Sequence, residues 1–204
     1  MAIGSSSTQG IGASAPSFTY PAQLQLDLTA ALGQPVTVEN AGIGGETVIT
    51  TLARLKAALK KERPDLVIWQ VGTNDALRGD NESQFRARVE EGVKMVSDAK
   101  IPLILVDQQF YPGIKDLDRY ERFVHIVQDI GAQYHDPVFS RYAMMKAWGA
   151  ASPSLLRDML SKDAFHMSDR GYGCLARDLA ADLAPLWTGR LDMAEKPNAN
   201  SVVK

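Results

Sequence analysis

The sequence predicts an α/β fold, a three-layer α/β/α sandwich built on a five-stranded parallel sheet of flavodoxin-like strand order. Three observations predict it. Short apolar runs alternate with longer amphipathic stretches along most of the chain. Residues 65–71 and 101–107 are nearly continuous apolar runs, as strands covered on both faces require. Glycine-rich or polar turns follow the strand candidates, where an open parallel sheet places its ligand.

In chain order, the strand candidates are residues 1–4, 35–40, 65–71, 101–107 and 132–136. Helical patterns fall between them at 20–32, 46–62, 83–99 and 118–130. Leu52, Leu55 and Leu59 have the spacing of a helix that buries one face. Near the end, Tyr172, Leu175, Ala176, Leu179 and Leu183 recur at intervals of three and four, which predicts a helix packed on the sheet. Ser168 is placed to cap that helix, and Asp169 suits its first turn. The periodicity stops after Trp187. One domain is therefore expected over 1–187, with 188–204, containing Pro197, Asn198 and Asn200, reading as a disordered tail. The chain has no internal repeat.

Composition narrows the function. A chain of 204 residues fits one α/β domain, and 45% hydrophobic content supplies a core. With a net charge of −2, there is no electrostatic case for nucleic acid or an anionic membrane surface. The single cysteine, Cys174, excludes an internal disulfide framework and a multi-cysteine metal site. The longest apolar runs are far shorter than the ~20 residues that span a bilayer. Only Met1, Ala2 and Ile3 precede the first turn, fewer than a first strand usually has. This start is read either as upstream sequence removed, where a cleaved or deleted export signal would favour a periplasmic or secreted setting, or as a naturally short strand.

Four polar elements carry chemistry. Gly4-Ser5-Ser6-Ser7-Thr8-Gln9-Gly10 follows the first strand, Asn40-Ala41-Gly42-Ile43-Gly44-Gly45 the second, and Gly72-Thr73-Asn74-Asp75 the third. Singly, each is an ordinary turn. Three on one sheet edge are harder to dismiss. The fourth is Asp163-Ala164-Phe165-His166, in which a carboxylate three residues before an imidazole can fold back and orient it. Helix starts also carry such pairs. With a serine loop, the pair completes the nucleophile, base and orienting carboxylate that acyl transfer needs. A rival reading takes the hydroxyl-rich loop as a phosphate cradle of a flavodoxin-like FMN-binding protein. It leaves Asn74, Asp163 and His166 without a task. No P-loop pattern is present.

The four blocks, in this order, resemble the SGNH hydrolases, a family of GDSL-like serine esterases, from Gly4 to His166 and into the last helix. The resemblance implies Ser6 as nucleophile, Asp163 and His166 as the rest of the triad, and Ser6, Gly42 and Asn74 as the oxyanion hole. It implies no metal and no organic cofactor. The usual Gly-Asp-Ser-Leu reads Gly4-Ser5-Ser6-Ser7 here, so three serines compete for the role. Aligning Gly4 with the family glycine selects Ser6, and Thr8 and Gly10 then match a frequent Thr-x-Gly.

The expected substrate is a small-molecule or carbohydrate ester with a short acyl group such as acetate, because no long hydrophobic lid is evident. Lysophospholipids and thioesters are alternatives within the same chemistry, and a catalytically silent carbohydrate-binding relative is another. His125 and His135 belong to no motif and read as structural. Cys174 reads as a small residue of the last helix, and Met144, Met145 and Trp148 fit either helix packing or an acyl pocket. Asp75 is expected to brace the loop of Asn74.

Overall fold

The structure is a computed structural model that describes residues 1–61 and 63–194, with side chains given through Trp187. Five parallel strands form its centre: β1 (Ala2–Gly4), β2 (Asn40–Gly42), β3 (Val67–Gln70), β4 (Leu103–Val106) and β5 (Val138–Phe139). Their order is β2-β1-β3-β4-β5, so the expected flavodoxin-like parallel sheet is found.

Side chains alternate across this sheet as a pleated strand requires. Ile3, Val67, Trp69, Leu103 and Leu105 face one core with helices α3 (Val48–Lys61), α5 (Glu82–Asp98) and α6 (Leu117–Tyr134). Ala2, Ile68, Ile104 and Val106 face the other, with α2 (Tyr20–Leu32) and the long C-terminal helix (Asp169–Ala194). Two apolar faces explain why the central strands read as unbroken hydrophobic runs.

Short helices sit at the carboxyl ends of the strands. α1 (Ser6–Gln9) follows β1 and α4 (Thr73–Arg78) follows β3. After β5 come α7 (Arg141–Ala151) and α8 (Pro153–Met159), and the C-terminal helix is α9. Ser168 lies at its start, where its hydroxyl accepts from the Gly171 N–H at 3.4 Å. α9 continues to Ala194, past the point where the sequence pattern stops, and residues 195–204 of the expected tail lie outside the described residues.

Two strands differ from expectation. Residues 35–39 run beside the sheet, but Val36 and Val38 donate their N–H groups to Thr29 Oγ1 and Gln25 Oε1 of α2. The Glu39 carbonyl accepts from the Ala2 N–H at 2.8 Å, and the paired residues of β2 are 40–42 alone. The strand expected at 132–136 is largely helix. Ile126, Val127 and Ile130 keep α6 buried to its last turn, His135 ends it with φ of 60°, and pairing starts only at Val138. Gly131 permits the crossing, because a Cβ there would stand 2.2 Å from Val138 Cγ2.

Candidate active site

Ser6 begins α1, directly beyond the end of β1, so its backbone N–H belongs to the free N-terminal turn of that helix. The three neighbouring serines have different partners. Ser5 is buried and donates from both N and Oγ to Gln70 Oε1, at 3.0 and 3.2 Å. Ser7 is buried and donates to Gln109 Oε1 at 2.9 Å. Only Ser6 Oγ reaches His166, with 2.9 Å to Nε2. The same inward turn of Ser5 and Ser7 removes most of the hydroxyls on which a phosphate cradle would depend.

His166 comes from the turn between α8 and α9. Its Nδ1 lies 2.6 Å from Asp163 Oδ2. The other oxygen, Oδ1, accepts from the N–H groups of Phe165 and His166, at 3.0 and 2.9 Å, and from Ser161 Oγ at 2.7 Å. Partial burial raises the Asp163 pKa, but the hydrogen bonds from His166, Ser161 and the two backbone amides outweigh it and hold the carboxyl well below the ordinary range. Ala164 takes a left-handed φ of 54° so that the turn closes. The result is a hydroxyl–imidazole–carboxylate chain whose carboxylate is fixed on both oxygens.

Asn74 and the glycine loop stand on the adjoining edge. Asn74 Nδ2 donates to the Glu46 carbonyl at 2.8 Å, and Asp75 Oδ1 accepts from the Val48 N–H at 2.9 Å. Asp75 thus braces the start of α3 behind the glycine loop, rather than the expected loop of Asn74 itself. Gly44 of this loop lies beside Ser6, for a Cβ placed on it would be 3.8 Å from Ser6 Cβ. Its N–H donates to Gln9 Oε1 at 2.7 Å, and the Gly45 carbonyl accepts from Arg78 Nη2 at 2.7 Å.

Gly42 departs from expectation. Along β2, the Ile43 N–H points toward β1 and donates to the Gly4 carbonyl at 3.0 Å. Alternation therefore turns the Gly42 N–H the other way, off the sheet edge, where Asn40 Oδ1 accepts it at 3.0 Å. Gly42 is a packing glycine: a Cβ there would lie 2.0 Å from the backbone nitrogen of Gln9.

A profile of the Non-GDSL lipase-like family matches residues 1–185. The chain belongs to that family. An arylesterase of Vibrio mimicus is 24% identical over 139 residues, covering 67% of this chain and 62% of the relative. Esterase TesA of Pseudomonas aeruginosa is 30% identical over 141 residues, covering 62% of this chain and 69% of TesA. A lipase/acylhydrolase from Enterococcus faecalis superposes with a TM-score of 0.77 at 27% identity, over 90% of this chain and 94% of that one. Family and fold agree with the resemblance to SGNH hydrolases and place the chain among the carboxylic ester hydrolases.

In this Non-GDSL lipase-like chain, two buried glutamines support the serine turn and were missed from the sequence. Gln70, at the end of β3, accepts from Ser5 and from Thr8 Oγ1, the latter at 3.2 Å. Gln109, beyond β4, accepts from Ser7. Their signal was a glutamine at the end of each apolar run, Val67-Ile68-Trp69-Gln70 and Leu105-Val106-Asp107-Gln108-Gln109. Beneath them Arg141 is fully buried, donating to the Asp107 carbonyl and to Thr73 Oγ1, each at 3.2 Å.

The residues set aside earlier lie apart from this centre. His125 is exposed on α6, and His135 is exposed at its end. Cys174 Sγ accepts from Arg177 on α9 at 3.3 Å. Met145 is wholly buried in the second core, against which Met144 and Trp148 pack. No helix among the described residues is long and apolar enough to cross a membrane.

Proposed function

We propose that this chain is a serine carboxylic-ester hydrolase in which Ser6 is the nucleophile, His166 the general base and Asp163 the residue that orients it. The observation that carries the reading is the unbroken contact from Ser6 Oγ through the His166 ring to Asp163, at 2.9 and 2.6 Å. A serine hydroxyl needs such a base near neutral pH. His166 Nε2 takes the Ser6 proton as Oγ bonds to the ester carbonyl carbon. When the tetrahedral adduct collapses, the alkoxide leaves with that proton. Water then attacks the acyl-serine with His166 again as base, releasing the acid and free Ser6.

The adduct's oxyanion is bound by the Ser6 N–H, the Asn74 side-chain amide and one amide of the glycine loop. In place of Gly42, the Gly45 N–H takes the third role. It has no hydrogen-bond partner among the described residues and belongs to the turn beside Ser6. Three uncharged donors fixed in advance are what a developing oxyanion requires.

Short acyl groups, acetate first, are the preferred substrates in this reading, with acetylated carbohydrates among the alcohols. Ser6 lies on an open rim; Ile11, whose N–H donates to the Ser6 carbonyl at 3.0 Å, is itself 41% exposed. Lysophospholipid or thioester cleavage would use the same residues. The test is hydrolysis of p-nitrophenyl esters from acetate to long acyl chains, beside acetylated sugars, by wild type and Ser6→Ala. Turnover should fall with acyl length and vanish in Ser6→Ala. Activity surviving Ser6→Ala refutes the nucleophile, and a preference for long chains refutes the substrate class.

A further inference from the structure

Gln109 joins the two halves of the site. It is 1% exposed, and its one amide group serves both. Oε1 accepts from Ser7 Oγ at 2.9 Å while Nε2 donates to the Phe165 carbonyl at 2.9 Å. Ser7 follows the nucleophile, and Phe165 precedes the base. Together with the Ser6–His166 contact, these bonds close a ring through three segments that are far apart in sequence. The backbone of Gln109 is itself fixed, since its N–H donates to Thr73 Oγ1 at 3.4 Å and its carbonyl accepts from the Tyr120 hydroxyl at 2.7 Å.

An amide suits this position because it offers an acceptor to a hydroxyl and a donor to a carbonyl at once. The turn that carries His166 is also held by Met167, buried in the second core, by the Tyr111–Phe165 ring contact at 4.8 Å, by packing against Gly12, and at its base. There the Ser161 N–H donates to the His166 carbonyl at 2.7 Å, and the Ser168 N–H to the Met159 carbonyl at 2.9 Å. Neither bond sets the distance from His166 to α1. We propose that Gln109 is a positioning residue that holds the His166 turn at bonding distance from Ser6. It contacts no reacting atom, so its removal slows the chemical steps and leaves substrate binding intact. This rests on the serine-hydrolase reading above. A displacement of about 1 Å in such a contact costs ~100-fold in rate.

The experiment compares Gln109→Leu, Gln109→Glu and Ser7→Ala with wild type on p-nitrophenyl acetate from about pH 5 to about pH 9, with circular dichroism as the fold check. Gln109→Leu should lower kcat about 10- to 100-fold and leave KM within about twofold. Gln109→Glu should match it at the alkaline end, where an ionised carboxylate cannot donate to Phe165. As pH falls, the introduced acid regains a proton to donate, so kcat relative to wild type should climb. Folded Gln109 variants with wild-type kcat, or a relative kcat flat in pH, overturn the proposal. If neither Gln109 variant folds, Ser7→Ala decides. A kcat loss of about threefold or more at unchanged KM supports the proposal, and unchanged kcat overturns it. Ser6→Ala, run in parallel, separates the two failures. Turnover lost there but intact in the Gln109 variants rejects only the positioning role, whereas turnover retained in Ser6→Ala rejects the hydrolase reading itself.

Discussion

The Asp75 carboxylate accepts a hydrogen bond from the Val48 N–H at 2.9 Å, so the residue after Asn74 caps the start of α3. Asn74 meanwhile donates to the Glu46 carbonyl at 2.8 Å. Two adjacent side chains of α4 therefore grip the glycine loop from both sides of Thr47. Arg54 adds to the grip through Glu46 and through the carbonyls of Ala41 and Gly4, at 2.8 and 3.2 Å. The loop is held by its polar frame, because it has little side-chain mass of its own to pack.

Burial of the Asp75 carboxylate makes stability depend on pH. Burial raises the Asp75 pKa from 3.8 to about 6, with the Val48 N–H opposing the rise. Asp107 is likewise raised by burial to about 6, against hydrogen bonds from Tyr142 and Ser140 and the charge of Arg141. The folded protein keeps these two protons where the unfolded chain has released them. Their stabilising contribution is fully present below about pH 4 and is lost as pH rises through about 6. The urea midpoint should fall across that window. Asp75→Asn keeps an acceptor for Val48 and should remove about 2 kcal/mol of the fall. An equal fall in the variant counts against the buried carboxylate as its source.

Asp163→Asn should leave the fold intact and lower kcat about 1,000- to 10,000-fold, because an amide opposite Nδ1 favours the wrong imidazole tautomer. Steady-state hydrolysis of p-nitrophenyl acetate measures it. Despite partial burial, the folded pKa of Asp163 is depressed by its hydrogen bonds. Its contribution to stability is present above the ordinary carboxylate range and is lost as pH falls below it, outside the window of Asp75 and Asp107. A variant within tenfold of wild type would show that Asp163 does not orient the base.

Asn74→Ala should reduce kcat about 100- to 1,000-fold through loss of an oxyanion donor. It should also reduce stability by about 1 kcal/mol, since the bond to the Glu46 carbonyl goes with it. Urea titration and kinetics on the same preparation separate the two. A stability loss with unchanged kcat would leave Asn74 as a brace alone.

Much of this was legible in sequence because periodicity reports burial. Residues 20–32 read as a helix and form one with those bounds, and the central strands announced themselves by being apolar on both faces. The edges were harder. β2 and β5 are short, three and two residues, and where β5 starts is decided by how far α6 continues, which has no period. In the candidate site, the contact among Ser6, His166 and Asp163 was readable because motif spacing encodes their turns. That the Gly42 N–H is taken by Asn40 was not legible, because glycine spacing does not say which way an N–H points along a strand. Gln70 and Gln109 escaped notice since a lone buried glutamine has no pattern until its partners are known.

The orientation of the Gly42 N–H leads to the final prediction. If the amide that serves the oxyanion comes from the Gly44–Gly45 turn, groups holding that turn should matter for rate, and the group holding Gly42 should not. Gln9 fixes the Gly44 N–H and Arg78 the Gly45 carbonyl, both at 2.7 Å, whereas Asn40 holds the Gly42 N–H. Gln9→Ala and Arg78→Ala should each lower kcat about tenfold, the scale expected when a donor loses its alignment. Asn40→Ala should cost about 1 kcal/mol in urea and leave kcat within about twofold. The opposite ranking, with Asn40→Ala the slow variant and the other two near wild type, would return the third donor to Gly42.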